Sequence, residues 1–139
     1  EVRTPIIAAL AHAHEVAVDR AAEAIKDAAH PRIHIFLSSS DNHLMNQLRK
    51  DREEVVSMAV KSIVRAREHV DDVEFSPMDS SRTDKEFLAH LVQAAVDAGA
   101  TTINIPDTVG YAVPTQYVEL LNYLRDRVPA LGGTVCVRE

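Results

Sequence analysis

The sequence predicts an α/β fold built on a parallel sheet, and three observations carry that prediction. Short β-rich runs recur at about the interval of a βα unit. Each is followed by a longer stretch with apolar residues at helical spacing. The joints between them carry Ser, Asp, Gly and Pro, the residues of turns and caps. Strands alternating with long helices pair in parallel through right-handed crossovers. The 139 residues, 46% of them hydrophobic, are expected to form one domain with its own core over 1–139.

Pro5 to Ala11 is a compact apolar run and reads as a buried strand. His12-Ala13-His14 follows. On a strand the two imidazoles would share a face, a spacing that metal sites use, but a third ligand is wanting because Glu15 and Asp19 fall in the start of a helix. Two surface histidines at a strand-to-helix junction are the stronger reading. Glu15 to Ala29 is helical, with Val18, Ala21, Ala22, Ile25 and Ala29 as the apolar stripe and Pro31 as its stop. Arg32 to Leu37 is a strand, Ile33, Ile35 and Leu37 on one side and His34 and Phe36 on the other. His34 is then either a hydrogen-bonded core histidine or a polar group lining a site; the residues alone favour the first.

Ser38 to Lys50 reads as a loop. Asp51 with Glu54 resembles a capping box, opening a helix whose inner face is Val55, Ala59, Ile63 and Ala66, widened by Val56 and Val60. Arg65, Arg67 and His69 suit its C-terminal end. Asp72 to Ser76 is the next strand and Pro77 to Arg82 its exit loop. Thr83 and Glu86 form a Thr-x-x-Glu capping box for a helix that buries Phe87, Leu88, Leu91, Val92 and Ala95 and stops at Gly99. Thr101 to Ile105 is a short strand ended by Pro106, which has no N–H to give a ladder. Pro114 opens a helix with Tyr117, Val118, Leu120, Leu121 and Leu124 as its apolar face, and Pro129 breaks it. Gly132-Gly133 turns into a last strand-like run, Thr134 to Val137.

Formal net charge is −6 with basic residues scattered, which argues against a nucleic-acid footprint. No apolar run reaches the length of a membrane span, and no signal peptide is visible at the start. Cys136, the one cysteine, excludes an internal disulfide and fits a reducing compartment, so a cytoplasmic protein is expected.

The polar turn Asp107-Thr108-Val109-Gly110 sits where a strand hands over to a helix, the junction at which βα architectures gather their chemistry. Ordinary turn formation is the competing reading. The runs IHIF…SSSD, DDVEFSPMDSSRTDKEFL and AGATTINIPDTVGYAVP resemble the 2-isopropylmalate synthase family, among the metal-dependent TIM-barrel enzymes of aldol and Claisen chemistry. The resemblance runs nearly unbroken from Pro5 to Pro129, and the AGATTINIPDTVGY segment is its most specific part. It implies about half of a (β/α)8 barrel, strands three to six plus a stub of the seventh. It also implies condensation of acetyl-CoA with 2-oxoisovalerate in leucine biosynthesis, with a divalent metal holding the oxo acid and polarising its carbonyl. A base takes a thioester methyl proton, the carbanion attacks the ketone, and water releases CoA.

By the same resemblance His34 faces the substrate, which reverses the core-histidine preference. Ser76 lies against the substrate, and the Thr108 hydroxyl reaches the oxo-acid carboxylate. Asn104 and Asp107 support the loop. The family usually carries Glu where this chain has Met78, and a thioether takes no proton. Leu10-Ala11-His12 replaces Leu-Ala-Arg. The strand-one Asp-x-x-x-Arg-Asp-Gly and strand-seven His-x-His-Asn signatures, which supply the metal ligands, are absent, and the tail from Ala130 to Glu139 departs from the family as well. His12 and His14, on another strand, are not a substitute. The expectation is a segment truncated at both ends, with no metal ligands, inactive alone, and self-associating through open edges and an uncovered face, as a pair of half-barrels. A homocitrate or citramalate synthase segment, or a non-catalytic half-barrel module, are the alternatives.

Overall fold

A computed structural model describes residues 3–132 and 136–138. Five strands, β1 (Ile7–His12), β2 (Pro31–Ser38), β3 (Asp72–Met78), β4 (Thr102–Asn104) and β5 (Cys136–Arg138), form one sheet in sequence order. Every neighbouring pair is parallel. Helices α1 (Glu15–Ile25), α2 (Asp41–His43), α3 (Arg52–Arg67), α4 (Lys85–Asp97) and α5 (Pro114–Arg127) fall between them. The result is an open segment of a parallel β/α barrel. The expected last strand is present as β5; Thr134 and Val135, with which it was expected to begin, lie outside the described residues.

The core lies between the sheet and its helices, as the period of two requires. Ile33, Ile35 and Leu37 of β2, Val73 and Phe75 of β3, and Ile103 and Ile105 in and just after β4 have no exposed surface. Val18, Val55, Ala59, Ile63, Leu88, Leu91, Val92 and Leu124 close over them from the helices. Burying a side chain of this size contributes about 1.5–3 kcal/mol. The even-numbered residues Arg32, His34 and Phe36, with Asp72, Glu74 and Ser76, belong to the opposite face of the same strands.

Local chemistry sets the element ends. Asp51 Oδ1 accepts from Glu54 N at 2.8 Å and Glu54 Oε2 accepts from Asp51 N at 3.0 Å, the capping box expected for α3. Gly99 has φ 107°, and an added Cβ would come within 3.2 Å of Arg67 Cγ, so only glycine closes α4 here without strain. Arg52 links two loops: both oxygens of Asp41 take its Nη2, Asp84 takes Nη1 at 3.3 Å, and its guanidinium stands 4.9 Å over the Phe87 ring.

Several expectations need correction. β1 is not a buried strand. It is the sheet edge, with Ala11 under the helices and Leu10 63% exposed on the uncovered face, because no strand lies beyond it among the described residues. His12 and His14 do not share a strand face. His14 is the N-cap of α1, its Nδ1 accepting from Val16 N. α1 leaves the helix at Ile25, before Pro31, through a tightened Ala28 N to Ile25 O turn. The loop after β2 contains α2 and a π-turn over Leu44–Leu48, closed by Arg49 at φ 53°. β3 runs on to Met78, through Pro77. The N-cap of α4 is Asp84, whose Oδ1 accepts from Phe87 N at 2.9 Å, and not Thr83. On α5, Leu120 and Leu124 are buried, but Val118 is 55% exposed.

Candidate functional site

Strand register builds the site. Pairing sets Leu10, His34, Glu74 and Thr102 side by side across β1 to β4, and His12, Phe36 and Ser76 one step further on. Because side chains alternate, all of these belong to the face away from the helices. At the start of the strands Arg32, buried, donates from Nε to Asp72 at 2.8 Å and from Nη1 to Glu74 Oε2 at 2.9 Å. Burial works against the Arg32 charge, and the two carboxylates outweigh it, so its pKa rises above the usual guanidinium value. Glu74 Oε1 lies 3.8 Å from His34 Nε2. That nitrogen is 2.7 Å from Ser76 Oγ, and Asn104 Nδ2 donates to the same oxygen at 2.8 Å. His12 meets the edge of this row through an edge-on contact with Phe36, ring centres 5.3 Å apart.

A second cluster lies past the carboxyl ends of the strands. Asp79, fully buried and left-handed at φ 71°, ψ 37°, follows β3. Its carboxylate accepts from Ser40 Oγ at 2.5 Å and from Arg82 Nε and Nη2 at 2.8 and 2.7 Å. Its backbone N–H donates to Thr108 Oγ1 at 2.9 Å. His43 Nδ1 stands 3.5 Å from Asp79 Oδ2 without a hydrogen bond. Burial alone would raise the Asp79 pKa; Arg82 and the Ser40 hydroxyl reverse this and hold it below the usual carboxylate range. Asp107 accepts from Ser81 Oγ at 2.5 Å, from Tyr111 N at 3.1 Å and from Ala112 N at 3.0 Å, and these bonds lower its pKa.

The structure therefore brings His34, Ser76 and Asn104 into one hydrogen-bonded group and sets Thr108 and Asp107 in the adjoining loop cluster. Asp107 accepts from two backbone N–H groups of its own loop, Tyr111 and Ala112. Asn104 does something else: its amide serves Ser76 on the sheet face, because β4 alternation turns it there. Met78 holds the next loop by its backbone oxygen, which accepts from Ser39 N and Ser39 Oγ at 3.0 Å each. Sequence reasoning passed over Arg32 and Glu74, although the alternation that singled out His34 puts both on its face. It also passed over Ser40, Asp79 and Arg82, which only long-range contacts unite.

Among the described residues no group of three or more His, Cys, Asp or Glu side chains is gathered to hold a metal ion. The acids nearest the site are already engaged, Glu74 by Arg32 and Asp79 by Arg82 and Ser40. This donor set does not fit a divalent ion.

The HMGL-like family model matches residues 1–136. The chain is 54% identical over 135 residues to the 2-isopropylmalate synthase of Syntrophus aciditrophicus, covering 97% of this chain and 26% of that one. It is 49% identical over 133 residues to the 2-isopropylmalate synthase of Pyrococcus furiosus, covering 96% and 27%. The chain thus spans about a quarter of the length of these curated relatives. A crystal structure of hydroxymethylglutaryl-CoA lyase from Pseudomonas aeruginosa superposes with a TM-score of 0.74 over 99% of this chain and 45% of that one, at 15% identity, a likeness of fold.

The depressed carboxylates set the acid response. Asp19 falls to about 2 through Arg65 and His69, and Asp79 and Asp107 lie below their ordinary value. Each stabilises the fold fully above its unfolded pKa of about 3.9 and loses that contribution as pH falls through the lower folded value. Urea denaturation of Asp79→Asn is expected to show a loss of about 1–3 kcal/mol at pH 7 and a shallower decline than the parent between about pH 5 and pH 3. An unchanged acid slope would contradict this role for Asp79.

Proposed function

This chain belongs to the HMGL-like family, and from that premise we propose that it is a catalytic-barrel segment of a 2-isopropylmalate synthase. Its reaction is the condensation of acetyl-CoA with 2-oxoisovalerate in leucine biosynthesis. The observation that carries the reading is the meeting of His34, Ser76 and Asn104 on the open sheet face, with Thr108 in the loop beyond the strand ends.

In this reading His34 and Ser76 form the wall against which the oxo acid lies, and the Thr108 hydroxyl binds its carboxylate. An imidazole and two hydroxyls suit a small, oxygen-rich anion: they orient it and hydrogen-bond its oxygens, while Arg32 balances the nearby Glu74 carboxylate. The flanking ion cluster Arg32–Asp72–Glu74 keeps this wall fixed. Asp107 and Asp79 hold the loop from which Thr108 projects. The divalent ion of this reaction class finds no donor set among the described residues, so no step is assigned to it. Met78 stands where the family usually has Glu, and the base or polar contact that a carboxylate supplies is missing there. No described helix is long and apolar enough to cross a membrane, and a cytoplasmic setting fits the pathway.

The bare edge of β1, with Ile7 37% and Leu10 63% exposed, leads to a second proposal: the chain by itself associates with further copies. Light scattering is expected to give a mass above the 15.3 kDa of one chain, and a monodisperse monomer would contradict it.

A chimera tests the assignment. Residues 5–129 of this chain replace the matching segment of the Syntrophus synthase, and turnover of 2-oxoisovalerate with acetyl-CoA is followed by CoA release. The expected result is weak activity that Met78→Glu raises at least tenfold, about 1.4 kcal/mol in the barrier. A folded chimera that turns over nothing, with or without Met78→Glu, would overturn the reading.

A further inference from the structure

We propose that Glu74 is a positioning residue: it keeps a proton on His34 Nε2, so that Ser76 accepts from both His34 and Asn104 and presents its own hydroxyl proton to a ligand oxygen.

Ser76 Oγ has two lone pairs and one proton. The Asn104 Nδ2 group, 2.8 Å away, can only donate, and it takes one lone pair. The contact to His34 Nε2 at 2.7 Å runs in one of two senses. In one, Ser76 spends its proton on the imidazole. In the other, the imidazole donates and the Ser76 proton is left for something else. Glu74 weights the choice toward the second sense. Its Oε1 lies 3.8 Å from the same Nε2, too long for a hydrogen bond but close enough for a carboxylate to favour a proton on that nitrogen over a lone pair. Glu74 is available as an anion because Arg32 donates to its other oxygen at 2.9 Å, and both groups are more than nine-tenths buried.

With both lone pairs of Ser76 occupied by the protein, the hydroxyl is a committed donor. Thr108 leans the same way, since Asp79 N–H already fills one lone pair of its oxygen. The ligand group to which such hydroxyls donate is a carboxylate or carbonyl oxygen and not another donor. This sharpens the oxo-acid reading and rests on it only for the ligand's identity; the proton on His34 is a property of the chain without ligand.

Long-range 1H–15N correlation of the uniformly labelled chain at about pH 8 reads which ring nitrogen carries the proton. His34→Gln assigns the signal. The expected spectrum shows His34 protonated at Nε2. Glu74→Gln, whose amide can donate where the carboxylate could not, is expected to cut the share of that form several-fold. An unprotonated Nε2 in the parent chain would overturn the proposal, and so would a folded Glu74→Gln variant with an unchanged His34 pattern. The parent spectrum decides the matter even if Glu74→Gln does not fold. Added 2-oxoisovalerate separates the two readings: a protonated Nε2 with no resonance of the row moved by the acid leaves the role of Glu74 standing and counts against the oxo-acid assignment.

Discussion

The pairing of buried Arg32 with buried Glu74 and half-buried Asp72 is the constraint on which the rest of this structure depends. A guanidinium and a carboxylate that have left water are tolerated only where each finds the other. Arg32 and Glu74 lie two residues apart along a parallel pair of strands, Arg32 opposite Asp72 and His34 opposite Glu74. Side chains alternate along a strand, so a one-residue slip of β3 against β2 would carry both carboxylates to the helix side and put Val73 in their place. The register that satisfies Arg32 is therefore also the one that brings Ser76 within reach of His34. An electrostatic requirement at the start of the strands fixes a hydrogen-bonded group nearer their carboxyl ends.

From there the site is passed on by the loops. Asp79 adopts a left-handed backbone that a non-glycine residue holds only when its surroundings insist. Ser40 from the loop after β2 and Arg82 from its own loop secure its carboxylate, and its N–H secures Thr108 from the loop after β4. Three successive βα loops thus meet on one buried residue, two of them at its carboxylate and the third at its backbone N–H. A second tie joins the same loops, Ser81 to Asp107. The consequence is a braced rim above the wall of the sheet face, assembled from four strands and three loop-to-loop contacts.

Much of this was legible in the sequence because it depends on local periodicity. The alternation of Ile33, Ile35 and Leu37 against His34 and Phe36 assigns both faces of β2 from six residues, and the Asp51–Glu54 capping box and the Gly99 stop are short-range events. What was not legible depends on distant partners. Thr83 and Asp84 are both good caps one residue apart, and Thr83 is withdrawn by its bonds to Asp79 O and the Ser39 hydroxyl, which no local pattern announces. Leu10 sits in an apolar run that reads as buried, but its exposure is decided by what lies beside β1. Asn104 read as loop support from its motif, whereas its position on β4 turns it onto Ser76. The family resemblance named His34, Ser76 and Thr108; it did not single out the Arg32 cluster that orders them.

The most direct measurement is a double-mutant cycle on that cluster, with Arg32→Met, Glu74→Leu and the pair combined, followed by urea denaturation. If the two charges stabilise each other in a buried row, Arg32→Met costs about 3–5 kcal/mol by stranding Glu74, Glu74→Leu costs less because Asp72 still holds Arg32, and the combined change costs less than the sum by at least about 1 kcal/mol. Additive losses would show that Arg32 and Glu74 do not depend on each other, and the register argument would lose its cause.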